Sequence, residues 1–523
     1  MDTFDVPYTA VTDVVASYAT WQPDRTALVC GAERVTWREL NRSVNRVANG
    51  LLAGGLRRGD RVSVLMTNSV AMVQIMLGVI KAGGVVVPLS AMLQGDALAA
   101  MIDDSDSAFL FADRAFVPVV SPLQSGLPKL RRDGCFAVGA QGDGWTLFED
   151  WAQRCPDHEP SVRLNLDDDF NIIYSSGTTG VPKGIVHTHR AREQFALLVA
   201  VEFRFDPTAV ALVVTPLFAN GTWLMFLPAL TTGATLVLAQ RFDPAELMAL
   251  AQREGVTHTF MVPTQYQAIV QWADATPGAL VPPFRIMVSA GAPLTKGVKE
   301  AVLRLLGKGL LELYGLTEGI ATTLKPEVVR EKIASVGTPL LGGDIKIIDD
   351  AGRELPRGST GEIVGHSTAL MRGYHKRPQQ TAEVIWKDAL GRTYLRTGDI
   401  GRLDEDGFLY ILDRKKDMII SGGVNVFPRD IEEVLLTHPQ VADASVIGIP
   451  HEKWGETPLA IVIPKAGSTA SEREITEWVN QRVAKYQRLA GVEFRGALPR
   501  NALGKVLKKE LRAPYMSQDT TCG

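Results

Sequence analysis

The spacing of apolar positions along the chain switches between a helical repeat and short strand-like runs. Thr36–Leu56 repeats them at helical spacing, begins on a threonine suited to an N-cap and ends near glycines. Arg61–Met66 is instead a short strand-like run after a Gly-Asp turn. The long apolar run Val70–Leu89 is interrupted by Gln74, Lys81 and a glycine pair. This pattern predicts a buried helix followed by a buried strand, not a membrane span.

The same alternation continues through most of the chain. Helix-like segments such as Pro244–Gly255 separate further apolar runs with strand character. Alternation of this kind is typical of α/β layers. The strand-like runs are Ala211–Leu217, Ala234–Gln240, Thr257–Pro263 and Phe284–Leu294.

The pattern changes near residue 410, where a charged DRKKD segment precedes an apolar run and a double glycine. Pro428 then opens an amphipathic helix with acids in its first turn, where they suit the helix dipole. Ala442–Pro450 predicts a strand and Arg473–Tyr486 a second helix. We therefore expect a small α+β domain at the C-terminal end. Its last part, Arg482–Arg512, holds nine Lys and Arg against two Glu. Such a stretch is either a solvated basic face or a face that meets a polyanionic ligand.

Composition narrows the class of protein. The 523 residues allow several domains and a large core, and 46% apolar with 22% charged residues is ordinary for globular proteins. A net charge of −3 gives no general attraction to nucleic acid or anionic membranes. The N-terminus lacks the pattern of a signal peptide and TTCG is not a targeting signal, so we expect a cytoplasmic protein. The four cysteines form no C-x-x-C pair, which argues against zinc and redox sites; they are Cys30, Cys135, Cys155 and Cys522.

Candidate chemistry begins with YSSGTTGVPKG, which follows a predicted strand. Backbone N–H groups of a glycine-rich turn converge on phosphate oxygens, hydroxyls add donors, and Lys183 adds a point charge. The order around Lys183 is not that of a Walker A loop, so a Walker-type NTPase is excluded. The predicted loop residues are Ser175, Ser176, Gly177, Thr178, Thr179, Gly180 and Lys183.

Three further stretches are weak signals when taken alone. In LYGLTEG, Tyr314 has a ring suited to a base and Glu318 a carboxylate suited to Mg²⁺ near phosphates, although a simple turn explains both. In YLRTGDIG, a strand is expected to end on Asp399, which accepts from ribose hydroxyls or caps a turn. In PRNALGK, Lys505 follows a glycine turn, where most lysines are simply solvated.

Together with SAGAPL (Ser289–Leu294) and DRKKDMIISGG, these stretches form a set of six motifs in one order. The set resembles the adenylate-forming superfamily of acyl- and aryl-CoA synthetases, peptide-synthetase adenylation domains and luciferases. The resemblance extends from Val35 to Lys505 and is strongest to AMP-forming acyl-CoA ligases. It implies a large N-terminal domain of α/β layers, with mixed sheets and a small β-barrel-like part, followed by a small, mobile α+β lid.

The resemblance also implies roles for individual residues. Lys505 bridges the acid carboxylate and the α-phosphate, where positive charge lowers the barrier to their reaction. Thr317 contacts the α-phosphate and Glu318 the Mg²⁺ ion. The phosphate loop holds the β- and γ-phosphates of ATP. Asp399 and Arg414 hold the ribose hydroxyls. The adenine slot is formed by Gly291, Ala292, Pro293, Tyr314 and Gly315.

In the family the lid rotates between the two half-reactions. The implied boundaries are residues 1–413 for the N-terminal domain, 414–417 for the hinge, centred on Lys416, and 418–523 for the lid. Ser421, Gly422 and Gly423 would then border the tunnel for the pantetheine arm of CoA, where glycines permit close approach.

The segment Thr215–Phe226 aligns with the family's acyl pocket. Ala219 stands where amino-acid-activating relatives carry an Asp, and an unpaired buried ammonium would be costly, so amino acids are unfavoured. Gly315 stands where acetate-specific relatives carry a Trp, which leaves room for a longer or ring-bearing acid. The proposed pocket residues, several of which ordinary core packing also explains, are Phe218, Ala219, Asn220, Trp223, Val262, Tyr266 and Gly315.

The leading hypothesis is therefore a ligase that uses ATP, Mg²⁺ and CoA to convert a fatty or hydrophobic aryl acid to its CoA ester. Its substrates are small molecules, with no nucleic acid and no transmembrane segment, and the resemblance leaves room for a homodimer. Alternatives are a ligase that loads a carrier protein, a luciferase-like oxygenase and a non-catalytic nucleotide-binding protein. No carrier domain follows the lid in this sequence, which favours free CoA.

Overall fold

The structure, a computed structural model, describes residues 9–175, 183–500 and 504–516. Helices and strands alternate as the sequence predicts, and the α/β class is confirmed. No helix in these three ranges is long and apolar enough to cross a membrane. The helices are α1 (Val11–Trp21), α2 (Trp37–Ala53), α3 (Val70–Lys81), α4 (Gly95–Asp104), α5 (Val117–Val120), α6 (Phe148–Arg154), α7 (His189–Glu202), α8 (Trp223–Thr232), α9 (Pro244–Glu254), α10 (Pro263–Ala275), α11 (Lys296–Leu305), α12 (Pro378–Glu383), α13 (Pro428–Leu436), α14 (Glu472–Asn480) and α15 (Lys508–Met516).

The strands are short, apart from three long ones in the last third of the chain. They are β1 (Thr26–Cys30), β2 (Glu33–Thr36), β3 (Arg61–Leu65), β4 (Val85–Pro88), β5 (Ser107–Asp113), β6 (Cys135–Val138), β7 (Thr146–Leu147), β8 (Asp169–Ser175), β9 (Lys183–Thr188), β10 (Val210–Val213), β11 (Thr235–Leu238), β12 (His258–Met261), β13 (Ile286–Ser289), β14 (Leu310–Gly315), β15 (Ala321–Leu324), β16 (Thr338–Pro339), β17 (Asp344–Ile348), β18 (Gly361–His366), β19 (Gly373–Tyr374), β20 (Ile385–Lys387), β21 (Thr393–Leu403), β22 (Leu409–Arg414), β23 (Ile419–Ser421), β24 (Val424–Val426), β25 (Val441–His451), β26 (Gly455–Pro464) and β27 (Gly491–Phe494).

The chain divides into two compact units. The first comprises residues 1–333, 339–344 and 366–385, and it contains two sheets. In the larger sheet the strands lie in the order β2-β1-β11-β10-β12-β13-β14-β15, and all neighbours from β1 to β14 are parallel. The other sheet has the order β19-β9-β8-β4-β3-β5-β6-β7, with β8 and β9 antiparallel.

The second unit comprises residues 334–338, 345–365 and 386–523. One of its sheets joins β17, β18, β21 and β20, with β22 paired to β21. The other has the order β24-β23-β26-β25, with β27 paired to β26. Helices α13 and α14 cover this sheet with fully buried residues, among them Ile431, Leu435 and Ile475. These apolar residues supply the core that the predicted α+β domain needs. The predicted boundaries of the hinge, after residue 413 and before residue 418, stay predictions.

Local sequence signals account for most elements. Helix α2 begins with a full capping box, in which Thr36 and Glu39 exchange hydrogen bonds. The run after Val70 forms the buried α3 followed by β4, as predicted. The helix predicted over Arg473–Tyr486 ends early, at Asn480. The reason is that the Asn480 amide exchanges two hydrogen bonds with the backbone of Leu489, which turns the chain back.

The prediction that a strand ends on Asp399 is also wrong. Strand β21 continues to Leu403, and Asp399 lies opposite Arg414 of β22. A register irregularity between Ile400 and Gly401 follows immediately. Asp399 is therefore held within β21 by its pairing with β22, which fixes its position more firmly than a turn would.

Candidate active site

Four predicted loops meet at one edge of the larger sheet. Because β10, β12, β13 and β14 are parallel neighbours, their carboxyl ends lie side by side. Ligands of open α/β sheets bind at this edge. The segments that follow these strand ends are Phe218–Trp223, Val262 with Tyr266, Gly291–Pro293, and Tyr314–Glu318.

The phosphate loop lies mostly outside the described residues. Ser176, Gly177, Thr178, Thr179 and Gly180 belong to that part, whereas the backbone of Ser175 ends β8 and Lys183 begins β9. These two strands are antiparallel, with Ser175 opposite Lys183. The predicted loop therefore joins two adjacent strands of a hairpin.

Lys183 and Glu318 contact the same tyrosine. The Lys183 ammonium lies 4.8 Å from the centroid of the Tyr374 ring, and the Tyr374 hydroxyl donates to Glu318 Oε1 at 2.9 Å. Burial and the Glu318 carboxylate raise the pKa of Tyr374, which stays a neutral donor. Tyr374, which the motifs do not include, thus sets the spacing between a cation suited to phosphate and a carboxylate suited to Mg²⁺.

The turn that carries Thr317 and Glu318 is fixed by its backbone. The carbonyl of Glu318 accepts from the N–H of Met371 at 2.8 Å. The next residue, Gly319, has φ +108°, and a Cβ there would lie 2.1 Å from the carbonyl oxygen of Ala369. Only glycine fits this position, which holds the Glu318 carbonyl against the segment before Tyr374.

His187 also supports this turn. Its Nε2 lies 2.7 Å from the Thr317 carbonyl oxygen and its Nδ1 lies 3.2 Å from Nη2 of Arg192. A guanidinium can only donate and a carbonyl can only accept, so His187 is neutral and carries its proton on Nε2. Burial, with Arg192 adding to it, lowers the pKa of His187 well below its usual range. His187 lies on β9, and its neighbours in the sequence give no sign of this bridge.

In the second unit, Asp399 and Arg414 form an ion pair. Arg414 Nε lies 2.9 Å from Asp399 Oδ1, and the Asp399 side chain is 4% exposed. Lys505 feels the charges of both residues. Its own burial first, and then Arg414, lower the pKa of Lys505 to about 8, while Asp399 and Asp417 act in the opposite direction. The structure therefore brings together three of the residues that the resemblance assigns to the nucleotide.

Arg500 contacts the residue that precedes Lys505. Its guanidinium donates to the carbonyl of Gly504 at 2.5 Å and pairs with Asp443 at 2.5 Å. Lys508 pairs with Glu432, and Arg512 with Glu456. Arg500, Lys508 and Arg512 are thus paired with acids of the same unit, which gives a structural explanation for part of the charge of the basic stretch 482–512.

The predicted tunnel residues form a tight hairpin. Ser421 of β23 lies opposite Val424 of β24, and Gly422 and Gly423 between them have φ of +59° and +80°. A two-residue turn with two positive φ angles is the type I′ hairpin turn, which explains the double glycine by itself. Lys416, at the predicted hinge, is half-buried, and its burial lowers its pKa.

The predicted acyl segment is rigid and largely buried. Trp223 is fully buried and its Nε1–H donates to the carbonyl of Leu217 at 2.9 Å. Tyr266 is also fully buried, with its hydroxyl on the carbonyl of Val288 at 3.1 Å. Ala219 and Val262 are 6% and 5% exposed, whereas Phe218 and Asn220 are half-buried. The two half-buried residues are therefore the ones best placed to contact a ligand.

The packing of the strands by itself explains why residue 315 is a glycine. It ends β14 opposite Ala321, and a Cβ there would lie 2.8 Å from the carbonyl oxygen of Ile320. A side chain at this position would push the two strands apart. Of the residues predicted to form the adenine slot, Gly291 and Pro293 are exposed, and Ala292 and Tyr314 are half-buried.

The residues present fit a magnesium ion shared with phosphates. No group of three or more His, Cys, Asp or Glu in the described ranges could hold a metal by itself. Mg²⁺ in phosphate-transfer sites takes one or two carboxylates, and its remaining ligands are phosphate oxygens and water. Glu318, oriented by Tyr374, supplies such a carboxylate.

Comparison with known proteins defines the class. The model of the AMP-binding enzyme family matches residues 15–375, and that of the AMP-binding enzyme C-terminal domain matches residues 430–505. The chain therefore belongs to the AMP-binding, adenylate-forming enzymes. It is an AMP-forming acid–thiol ligase, a class that uses ATP, Mg²⁺ and CoA.

Individual relatives differ in the acid they use. The chain is 35% identical to a feruloyl-CoA synthase of an Amycolatopsis species over 505 residues, 95% of this chain and 97% of the relative. It is also 35% identical to a long-chain-fatty-acid–CoA ligase of Mycobacterium tuberculosis over 503 residues, 92% of this chain and 93% of the relative. Among solved structures, ATP-bound MatB from Rhodopseudomonas palustris superposes with a TM-score of 0.87 at 28% identity, covering 97% of this chain and 99% of that one.

Proposed function

We propose that this protein joins a fatty or hydrophobic aryl acid to CoA through an acyl-adenylate, releasing AMP and pyrophosphate. The observation that carries the proposal is the shared edge of the larger sheet. There, the loop Phe218–Trp223 and the nucleotide motif Tyr314–Glu318 follow strands of one parallel set. An acid held by the first loop is thus presented to a nucleotide held by the second.

The chemistry requires two anions to react, the carboxylate oxygen and the α-phosphate. Lys505 would stabilise the charge that both share in the transition state. Lys183 and the phosphate loop would hold the leaving pyrophosphate, and Glu318 would hold Mg²⁺. Asp399, whose buried carboxylate pairs with Arg414 at 2.9 Å, would accept hydrogen bonds from the ribose hydroxyls, since a carboxylate has several acceptor sites. In the second half-reaction the CoA thiolate replaces AMP at the acyl carbon.

A panel of acids tests this function. Fatty acids from C4 to C16 and benzoate, cinnamate and phenylacetate analogues would be supplied with ATP, Mg²⁺ and CoA. We expect acid-dependent pyrophosphate release with equal consumption of free CoA. Pyrophosphate release without CoA consumption would indicate that a carrier protein is the acceptor. If none of the acids in the panel produced pyrophosphate release, the result would contradict the proposal and favour a nucleotide-binding protein without this activity.

The pKa of Lys505 predicts a pH dependence. Because burial lowers that pKa to about 8, Lys505 loses its proton, and its charge, as the pH rises through that value. We expect kcat/KM for adenylation, measured by pyrophosphate exchange, to be highest below pH 8 and to fall above it. In Lys505→Arg the guanidinium stays charged, so the fall should move to higher pH. A rate that stays flat to about pH 9.5 in the unmodified enzyme would contradict this assignment.

A further inference from the structure

Arg192 is a buried cation without a carboxylate partner. It lies on α7, is 2% exposed, and donates to Asn171 Oδ1 at 2.7 Å, Asn220 Oδ1 at 2.9 Å and His187 Nδ1 at 3.2 Å. All three acceptors are neutral. Among the described residues no Asp or Glu forms an ion pair with it. A buried guanidinium with only neutral partners is costly to the fold, so a structural role alone is a poor explanation for it.

The side chains packed against Arg192 are aromatic and carry no charge. Its guanidinium carbon lies 4.7 Å from the Trp223 ring centroid and 5.5 Å from that of Phe195. Its Nη1 donates to no group within the described residues, whereas Nε and Nη2 are engaged. Burial lowers the pKa of Arg192 to about 9, so it stays protonated at neutral pH. The protein thus keeps a full positive charge, with unused donors, beside the candidate acyl segment.

This arrangement fixes the orientation of Asn220. A guanidinium has no acceptor, so the Asn220 atom that faces it must be the carbonyl oxygen and not the amide nitrogen. The Asn220 Nδ2 group, with its two N–H donors, therefore points to the other side. No residue that the structure describes accepts a hydrogen bond from it. The neighbouring Thr222 hydroxyl is already engaged with Thr215 and with the carbonyl of Pro216, both at 2.7 Å.

We propose that Asn220, oriented by Arg192, donates a hydrogen bond to an oxygen on the distal part of the acid. The inference rests on the proposed function and narrows its substrate class. The preferred acids carry an ether, hydroxyl, carbonyl or second carboxyl oxygen beyond the reacting carboxylate, on an otherwise apolar body. Asn220 is the specificity residue, and Arg192 is a positioning residue that also makes the site electropositive. A plain alkyl or aryl acid leaves the Asn220 donors without a partner, which a buried site penalises.

The experiment uses two pairs of acids with equal length. The first pair is 4-methoxycinnamate and 4-ethylcinnamate, and the second is 10-methoxydecanoate and dodecanoate. In each pair an ether oxygen replaces a methylene group. We expect kcat/KM, measured by pyrophosphate release with CoA, to be about 10-fold higher for the methoxy acid in at least one pair. A ratio of this size corresponds to the net contribution of one hydrogen bond.

Two variants and one control test the roles. In Asn220→Leu the ratio within the pair should fall to about 1, because the donor is gone. In Arg192→Gln the ratio should also fall, since the amide of Asn220 is no longer held in one orientation. The KM for ATP should change little. Arg190→Gln, on the same helix but 52% exposed and paired with Asp167, should keep the ratio of the unmodified enzyme. If Arg192→Gln does not fold, Asn220→Leu decides the matter.

The outcomes separate this inference from the function on which it rests. Turnover of both acids with a ratio near 1 in both pairs overturns the inference and leaves the ligase function intact. A high ratio that survives in Asn220→Leu overturns it as well. The absence of pyrophosphate release with every acid, including those of the wider panel, overturns the proposed function and the inference with it.

Discussion

Replacing Lys505 by alanine should lower the rate of adenylation by about 10²–10³-fold, the loss typical when one preorganised donor to a developing charge is removed. Lys505 lies close to Arg414 and Asp399, and Arg500 donates a hydrogen bond to the carbonyl of the preceding Gly504. The lost group is the ammonium of a half-buried lysine whose pKa the surrounding protein lowers. The rate is measured by acid-dependent pyrophosphate exchange.

The second half-reaction provides the internal control for Lys505→Ala. When the acyl-adenylate is supplied ready-made with CoA, the variant should form the CoA ester at close to the normal rate, because the lid rotation of this family would remove Lys505 from the site before that step. Lys509→Ala, an exposed lysine on the same segment, should leave both half-reactions unchanged. An equal loss in both half-reactions would show that the assigned role of Lys505 is wrong.

Replacing Gly319 by alanine should remove most adenylation activity and also destabilise the protein. The added Cβ would lie 2.1 Å from the carbonyl oxygen of Ala369, at a backbone φ of +108° that other residues rarely adopt. The turn must shift, and with it Glu318, whose carbonyl binds Met371 and whose carboxylate binds Tyr374. We expect a loss of about 100-fold in pyrophosphate exchange and about 2–4 kcal/mol in the free energy of unfolding.

Gly307→Ala is the matched control for the Gly319 variant. Gly307 also has a positive φ, +95°, but a Cβ there would meet nothing within 4 Å. This variant carries the backbone strain without the collision, so it should lose about 1 kcal/mol of stability and keep its activity. If Gly307→Ala and Gly319→Ala behaved alike, close packing against Ala369 would not be the reason for the glycine. Urea unfolding and pyrophosphate exchange measure the two quantities.

Features encoded by neighbouring residues could be predicted from the sequence. The Thr36 capping box, the buried run after Val70 and the alternating pattern of the larger sheet all depend on positions a few residues apart. The family's motifs add candidate nucleotide residues, and the loops that follow adjacent parallel strands meet at one edge of the sheet. What the sequence could not supply is the contacts between segments that lie far apart in the chain.

The bridge from Arg192 through His187 to Thr317 shows why. In the sequence, His187 has the pattern of an ordinary strand residue, and nothing nearby indicates that its Nε2–H will donate a hydrogen bond to the carbonyl of Thr317. A signal for Arg192 did exist. It is a charged residue in helical phase with Ala196 and Val199 on the buried face of α7. A charge at such a position indicates a partner or a ligand.

Asp399 gives a second example. TGD followed by glycines and acids indicates a turn, whereas β21 runs on because β22 supplies its hydrogen-bonding partner. Helix α14 shows the opposite error, since its helical periodicity continues beyond the point where the Asn480 amide captures the backbone of Leu489. In both cases a pairing partner outside the local window decides where the element ends.

The order of segments within each unit has a consequence for synthesis on the ribosome. Leu28 of β1 aligns with Leu236 of β11, so the first strands of the larger sheet remain without that neighbour until more than a third of the chain has been made. The second unit begins at residue 334 but is interrupted twice by segments of the first. Closing such loops is entropically slow, and unpaired strand edges invite association between nascent chains. Expression at reduced translation rate or temperature should therefore favour the soluble protein, and a single cut in the chain cannot release the second unit intact.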